Sequence, residues 1–326
     1  MFLKDLFIKK LVNKQTIKEI KIFYNIYLKY LQVILVFTLI AAFIALVDVR
    51  IIFDILSNSK INYFIFAFAL FLLAMFLNSV KFYILINSFT NFKLIDILKI
   101  NAKGQAGNLL FMNGFVVDVY KYFKLKKKID NFTSFMLVFI DRFISLFFKI
   151  IFFIIIFNIY NIFLLNFYIQ EILAISTIFI ALSIFAFFNF EKIINPIFKI
   201  KKLLKKKKII LNIYHFVKKK IFFFLTINFF IHANITLIYV CIFKSLMLEE
   251  FILDIILLNT IIETLSQLSL ILPGSREVIT ISIFKFMNIN FEESIVSATF
   301  FLFLNYISII MFNLIIIFIK KINLNN

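Results

Sequence analysis

The sequence predicts an all-α, polytopic membrane protein with about six spanning helices, two re-entrant broken-helix hairpins and a possible inverted repeat. Three observations carry that expectation. Of the 326 residues, 63% are hydrophobic and the mean hydropathy is +1.03, whereas soluble domains run about 45–50% apolar. The apolar residues gather in stretches of about 20, the length that crosses a hydrocarbon core of about 30 Å as a helix. Such a segment must satisfy its own backbone in lipid, which a helix does. A transmembrane barrel would need many short alternating segments joined by turns, and four Gly and two Pro do not supply them.

In chain order, residues 1–30 mix Lys4, Lys9, Lys10, Lys14, Lys18 and Lys21 with regularly spaced apolar residues. No uninterrupted apolar core of a cleavable signal is present, and the pattern suits a basic amphipathic helix lying on the inner leaflet. Spans are expected at Leu31–Val47, Tyr63–Ile86, Phe132–Phe157, Ile172–Phe188, Ile221–Phe243 and Ser294–Ile319, within a transmembrane domain covering 31–320, followed by a short tail at 321–326. The segments 1–30, Lys81–Lys128 and Lys192–Lys220 are Lys-rich, the last with the run Lys205–Lys208. The connections near Asp48–Asp54, Asn158–Glu171 and Glu249–Asp254 are neutral or acidic. Because Lys and Arg in short loops stay on the cytoplasmic side, this alternation predicts a multi-pass protein of the inner membrane with both termini cytoplasmic.

Two stretches do not fit simple crossings. Leu94–Tyr120 lies between basic regions and holds Gly104, Gly107 and Gly114. Phe251–Met287 is interrupted by Pro273-Gly274 and flanked by Glu249-Glu250 and Glu292-Glu293. Each is expected to be a re-entrant hairpin, which is tolerated at membrane depth when protein surrounds it. Asn113-Gly114 and Pro273-Gly274 would form the turns, since Gly adopts positive φ at little cost. The halves at about 62–157 and 221–319 then share one order, span–hairpin–span, in opposite orientation. Transporters commonly place substrate between such inverted halves.

The formal charge of +19 does not indicate nucleic acid. Lys is abundant alongside Phe, Ile and Asn, whereas Arg occurs only at Arg50, Arg142 and Arg276, the skew of an AT-rich coding sequence. Cys241 is alone, so no disulfide forms within the chain, and with two histidines, His215 and His232, no metal site is expected. His232 lies inside a span and is expected to make a structural hydrogen bond. No nucleotide loop, Ser–His–Asp set or metal cluster is seen, so neither a cofactor nor an enzymatic activity is expected.

Charged residues within the apolar segments are the candidate site. Asp141 lies about nine residues into its span, roughly 14 Å at 1.5 Å per residue, where a charge costs about 2.5–3.5 kcal/mol on insertion scales. Arg142 is adjacent and Lys149 two turns on, so a paired network is expected. Glu263 sits among Asn259, Thr264, Ser266 and Gln267, which suggests a wet cavity or a buried network. The Asp141–Arg142 and Arg276–Glu277 pairs either hold a substrate or staple neighbouring helices; the residues alone leave both open.

The order of motifs is more specific. Residues 107–121 read Gly-Asn-Leu-Leu-Phe-Met-Asn-Gly-Phe-Val-Val-Asp-Val-Tyr-Lys, the next span carries Asp141-Arg142, and the second hairpin closes with Leu-Pro-Gly-Ser-Arg-Glu at 272–277. Over about residues 30–320 this resembles the flippase-like family that includes the transmembrane region of lysylphosphatidylglycerol synthases. Asn113-Gly114 stands where that family has a Pro-containing turn, Lys121 where it has Arg, and the loop at Pro273–Glu277 is shorter. The resemblance implies a translocator of a lipid or lipid-linked substrate, anionic or polyprenyl-phosphate-linked. Lys121, Arg142 and Arg276 would hold the headgroup, and Asp118, Asp141 and Glu277 would orient those cations. The alternative is a membrane scaffold whose basic cytoplasmic face, 191–220, docks a separate glycosyltransferase or lipid-modifying enzyme.

Overall fold

The computed structural model describes residues 57–111, 115–164, 204–248, 252–268, 275–286 and 289–325, together with positions 189 and 192. All fall in the larger of two compact units, Ile55–Asn326. The expected span at Leu31–Val47, the segment 1–30, the span at Ile172–Phe188, and the turn residues Asn113, Gly114, Pro273 and Gly274 lie outside the described residues.

Among the described residues the regular structure is entirely helical: α1 (Ile61–Asn87), α2 (Leu94–Phe111), α3 (Phe115–Leu125), α4 (Asn131–Leu164), α5 (Leu204–Lys219), α6 (Ile221–Ser245), α7 (Ile252–Leu268), α8 (Ser275–Phe286) and α9 (Phe291–Asn325). Three stretches among them are long and apolar enough to cross a membrane: Ile61–Asn87, Ile221–Ser245 and Glu292–Ile319. They coincide with the expected spans at Tyr63–Ile86, Ile221–Phe243 and Ser294–Ile319. The stretch expected to span at Phe132–Phe157 lies inside α4, a helix of 34 residues. Asp130 starts that helix, its Oδ1 accepting the backbone N–H of Phe132 and Thr133 at 3.1 and 3.0 Å, the usual capping of otherwise unsatisfied donors.

Apolarity is nearly uniform around α1, α6 and α9, so burial separates their faces. On α1, Ala67, Leu70, Phe71, Ala74 and Met75 face protein while Ile65, Phe66, Leu73 and Phe76 are exposed. The first set repeats at helical spacing of three and four; the second suits a lipid-facing stripe.

The most extensive pairing joins α1 to α6. They run antiparallel: Lys60 N–H at the start of α1 donates to Ser245 O at the end of α6 at 2.9 Å. Midway, Asn234 Nδ2 donates to Leu70 O at 2.6 Å. Around this pair α1 packs on α2 and α9, and α6 packs on α7 and α4. Further out, α2 packs on α3 and α9, α7 on α8 and α4, α3 on α4, and α8 on α9. One apolar core joins Phe82, Leu85 and Ile86 of α1 to Ile97 of α2, Leu125 of α3, Leu137 of α4 and Ile213 of α5. A second joins Met75, Leu98, Ala102, Ile309 and Phe312 across α1, α2 and α9.

Helix α5, within the Lys-rich segment, turns Ile210, Ile213, Tyr214 and Val217 into the protein, leaving Lys206, Lys208, Lys218 and Lys219 exposed. Its apolar stripe is covered by the bundle, not by lipid.

α2 and α3 approach closely because Gly104 and Gly107 face Val117 and Val116. A Cβ at Gly104 would stand 3.1 Å from Val117 Cγ1 and 3.3 Å from its Cα, and one at Gly107 2.9 Å from Val116 Cγ1. Backbone cannot give way as a flexible side chain can, so overpacking here costs about 1–3 kcal/mol. Gly104→Leu should lower the unfolding midpoint by several degrees. The buried Cys241 reports this directly, through a thiol-reactive dye that labels it only on unfolding. Gly104→Ala should lose less, and Val117→Ala should restore part of that loss. An unchanged midpoint for Gly104→Leu would show that the helices have room to separate.

Candidate functional site: a buried charge cluster on α4

Charged side chains meet where α1, α3 and α4 converge. Asp141 is central and buried. Lys81 Nζ lies 3.2 Å from its Oδ1 and Lys121 Nζ 2.9 Å from its Oδ2, so each carboxylate oxygen has its own lysine. The exposures are 7% for Asp141, 4% for Lys81 and 8% for Lys121, which keeps water from screening the three charges. Lys81 Nζ also donates to Ser145 Oγ, and Ser145 Oγ donates to Asp141 O at 3.0 Å. Lys121 Nζ stands 4.1 Å from the ring centre of Phe82, a cation–π contact strengthened by desolvation.

Beside this trio, Arg142 pairs with Asp118 of α3. Asp118 and Lys121 are three residues apart and share a face of α3, so both reach α4. Arg142 and Asp118 keep 24% and 17% of their side-chain surface and form the wetter edge of the cluster. Two turns along α4, Lys149 Nζ contacts Glu263 Oε2 of α7 at 2.6 Å. Asp141, Ser145 and Lys149, spaced by four, form one polar stripe on α4.

The structure thus brings together Asp118, Lys121, Asp141 and Arg142 and links Glu263 to the same helix. The pairing differs from the sequence expectation. Adjacent residues on a helix point about 100° apart, so Asp141 and Arg142 take different partners, and Lys149 pairs with Glu263. Of the polar neighbours of Glu263, Asn259 Nδ2 donates to Thr236 Oγ1 at 2.7 Å and Thr264 Oγ1 to Thr260 O at 2.7 Å, a buried network. Arg276 and Glu277 fall in the first turn of α8, with their side chains outside the described residues. No group of three His, Cys, Asp or Glu suited to a metal occurs among the described residues.

Lys81 was not among the residues singled out from sequence. Counting it with the basic loop Lys81–Lys128 hid it, yet it is the sole charge among the 27 residues of α1. That isolation is the signal that could have found it.

With both lysines protonated, two of them on one carboxylate leave the trio with one positive charge in excess. A buried charge at membrane depth is costly unless paired, so the trio is suited to accept one further anion. Its oxygens would replace or join those of Asp141 between the two ammonium groups.

The same bookkeeping of charge predicts unequal mutants. Lys81→Met leaves a neutral Lys121–Asp141 pair and should unfold near the wild-type temperature. Asp141→Asn leaves two buried ammonium groups together and should cost about 3–5 kcal/mol. Thermal unfolding followed by labelling of Cys241 checks both. Equal losses would show that the three charges do not act as one unit.

Neither a curated protein nor a solved structure matches the chain. A family profile described as the lysylphosphatidylglycerol synthase TM region matches residues 31–312, the span over which the ordered Asp118…Lys121…Asp141-Arg142 and Pro273-Gly274…Arg276-Glu277 motifs occur. That family's name points to membrane lipids, in keeping with buried cations set among apolar helices. The chain is a membrane protein and belongs to the family of the lysylphosphatidylglycerol synthase transmembrane region.

Proposed function

We propose that the protein is a flippase-like translocator of a lipid or lipid-linked substrate carrying a phosphate-bearing headgroup, anionic or polyprenyl-phosphate-linked. One observation carries the reading: Lys81 and Lys121 close on a single buried carboxylate and leave one cation in excess. A phosphate oxygen pair resembles a carboxylate in presenting two acceptors, so the headgroup would bind between the lysines while its tails stay in lipid. Arg142, held by Asp118, would contribute a planar fork suited to phosphate at the more open edge. Arg276 and Glu277, at the start of α8, would meet the substrate from the other half. The reading assigns no catalytic step and needs no cofactor.

Movement between leaflets would use an inverted repeat of α1–α4 and α6–α9. Support comes from the packing. Exchanging α1 with α6, α2 with α7, α3 with α8 and α4 with α9 turns each principal contact among these helices into another of them. One polar motif recurs as well. Asn101, seven residues into α2, donates to Ser79 Oγ of α1 at 2.9 Å, and Ser79 donates to Met75 O four residues back. Asn259, seven residues into α7, donates to Thr236 Oγ1 of α6, and Thr236 donates to His232 O four residues back. The hairpins read as re-entrant because α3 and α8, with 11 and 12 residues, reach only about 16–18 Å at 1.5 Å per residue, short of a core of about 30 Å. In this reading both termini are cytoplasmic and the membrane is the cell's inner one.

A scaffold role is the second reading, favoured by the exposed lysines of α5, which would dock a separate lipid-modifying enzyme. Recovery of such an enzyme with the protein, coupled with no transport by the purified chain, would support it.

Full-length protein in liposomes tests the first reading, using fluorescent phosphatidylglycerol whose label is quenched from outside. Wild type should speed headgroup exchange between leaflets. Asp118→Asn combined with Arg142→Gln should accumulate normally, since both charges vanish together, yet lose most of that activity, as should Lys81→Met. A fully active neutral double variant would remove Asp118 and Arg142 from the headgroup site. For topology, cysteines placed at 249 and 292 in a Cys241→Ser background should both label from the outer side. Labelling from opposite sides would remove the second re-entrant hairpin.

A further inference from the structure

A second cluster lies where α4, α6 and α7 meet, and no step proposed above uses it. His232 of α6 is 2% exposed. Its ring lies against Phe148 and Phe152 of α4, with ring centres 6.4 and 4.5 Å away. His232 Nε2 stands 3.0 Å from Thr260 Oγ1 of α7, and the Thr260 hydroxyl donates its own proton to Ile256 O at 2.7 Å. The threonine oxygen therefore accepts, and Nε2 carries the imidazole hydrogen. This leaves a lone pair on Nδ1, and that atom is buried with no hydrogen-bond partner. One turn beyond Thr260, on the same face of α7, Glu263 is held by Lys149. Lys149 adjoins Phe148, which touches the imidazole, and both charges are within electrostatic reach of the ring.

We infer that His232 Nδ1, together with the Glu263–Lys149 pair, forms a proton-binding site inside the helix bundle. A proton taken from bulk water as hydronium forms an N–H bond at Nδ1 and returns to water on release; no other bond changes. The imidazolium gives Glu263 a second cation. Lys149 is then released along the α4 stripe towards Ser145, which Lys81 already contacts. Proton uptake thus delivers a cation next to the Lys81–Lys121–Asp141 trio, and proton loss withdraws it. The elements around the ring carry these charged residues. From α4 these are Lys149 and, two turns back, Asp141 and Arg142. α1, also packed on α6, carries Lys81. On the ring's own helix Lys244 lies three turns on, and Asp254 lies in the first turn of α7. α8 carries Arg276, Glu277 and Lys285.

The chain has two histidines, so ¹⁵N-histidine labelling of the full protein in lipid nanodiscs gives two ring systems, assigned with a His215→Gln variant. No substrate is needed, so the result is independent of whether the protein moves lipid. In wild type the His232 ring should be the Nε2–H tautomer at high pH and convert reversibly to imidazolium on acidification. Lys149→Gln leaves Glu263 without its lysine and should raise the proton affinity of His232 at least tenfold. Glu263→Gln should lower it at least tenfold. A wild-type ring that stays neutral to pH 4 in folded protein would overturn the site, with no substitution involved. A His232 titration unmoved by both variants would overturn it equally.

Discussion

Asp141 is the constraint on which the arrangement of the first half depends. Its two oxygens fix one lysine from α1 and one from α3, so a single carboxylate ties three helices at one point. α3 has 11 residues, and its two ion pairs to α4 fix its position and rotation against that helix. The arrangement hangs on the carboxylate: without one lysine a neutral pair remains, whereas without Asp141 two buried ammonium groups face each other unpaired. Ser145 completes it by taking a hydrogen bond from Lys81 while closing its own onto the α4 backbone.

The same logic extends through the bundle. Lipid tails are as apolar as leucine, so burial of apolar surface does not drive helices together; close packing and polar bonds do. Among the described residues four asparagines act this way: Asn101 on Ser79, Asn259 on Thr236, Asn234 on Leu70 O and Asn313 on Ala102 O. Asparagine is abundant in this chain for reasons of coding composition, yet these four sit at helix–helix contacts. The backbone approach at Gly104 supplies the other ingredient, a surface without a side chain on which α3 rests.

The helices were legible because length and apolarity alone decide them. Tyr63–Ile86, Ile221–Phe243 and Ser294–Ile319 fall within a few residues of α1, α6 and α9. Partners were not legible. Asp141 and Arg142 are neighbours in sequence, and only the rotation of α4 between α1 and α3 separates their contacts. Lys149 and Glu263 are 114 positions apart, and nothing local announces that distance. Lys81 was misplaced because a rule that counts lysines in loops does not see depth, and the end of the span was drawn close to it. Faces were equally hidden, since a helix apolar all round has no pattern by which sequence reports its buried side.

The surplus cation between Lys81, Lys121 and Asp141 has an electrical consequence. An elementary charge crossing 100 mV exchanges about 2.3 kcal/mol with the field. With nothing bound, the trio carries that charge. With one anion seated it carries none. In the translocator proposed above, a membrane potential that is negative inside would therefore act on the empty site and far less on the site with its anion seated. In that proposal each turnover that crosses loaded and returns empty moves one charge in net, so the voltage as well as the lipid gradient would set the direction of movement.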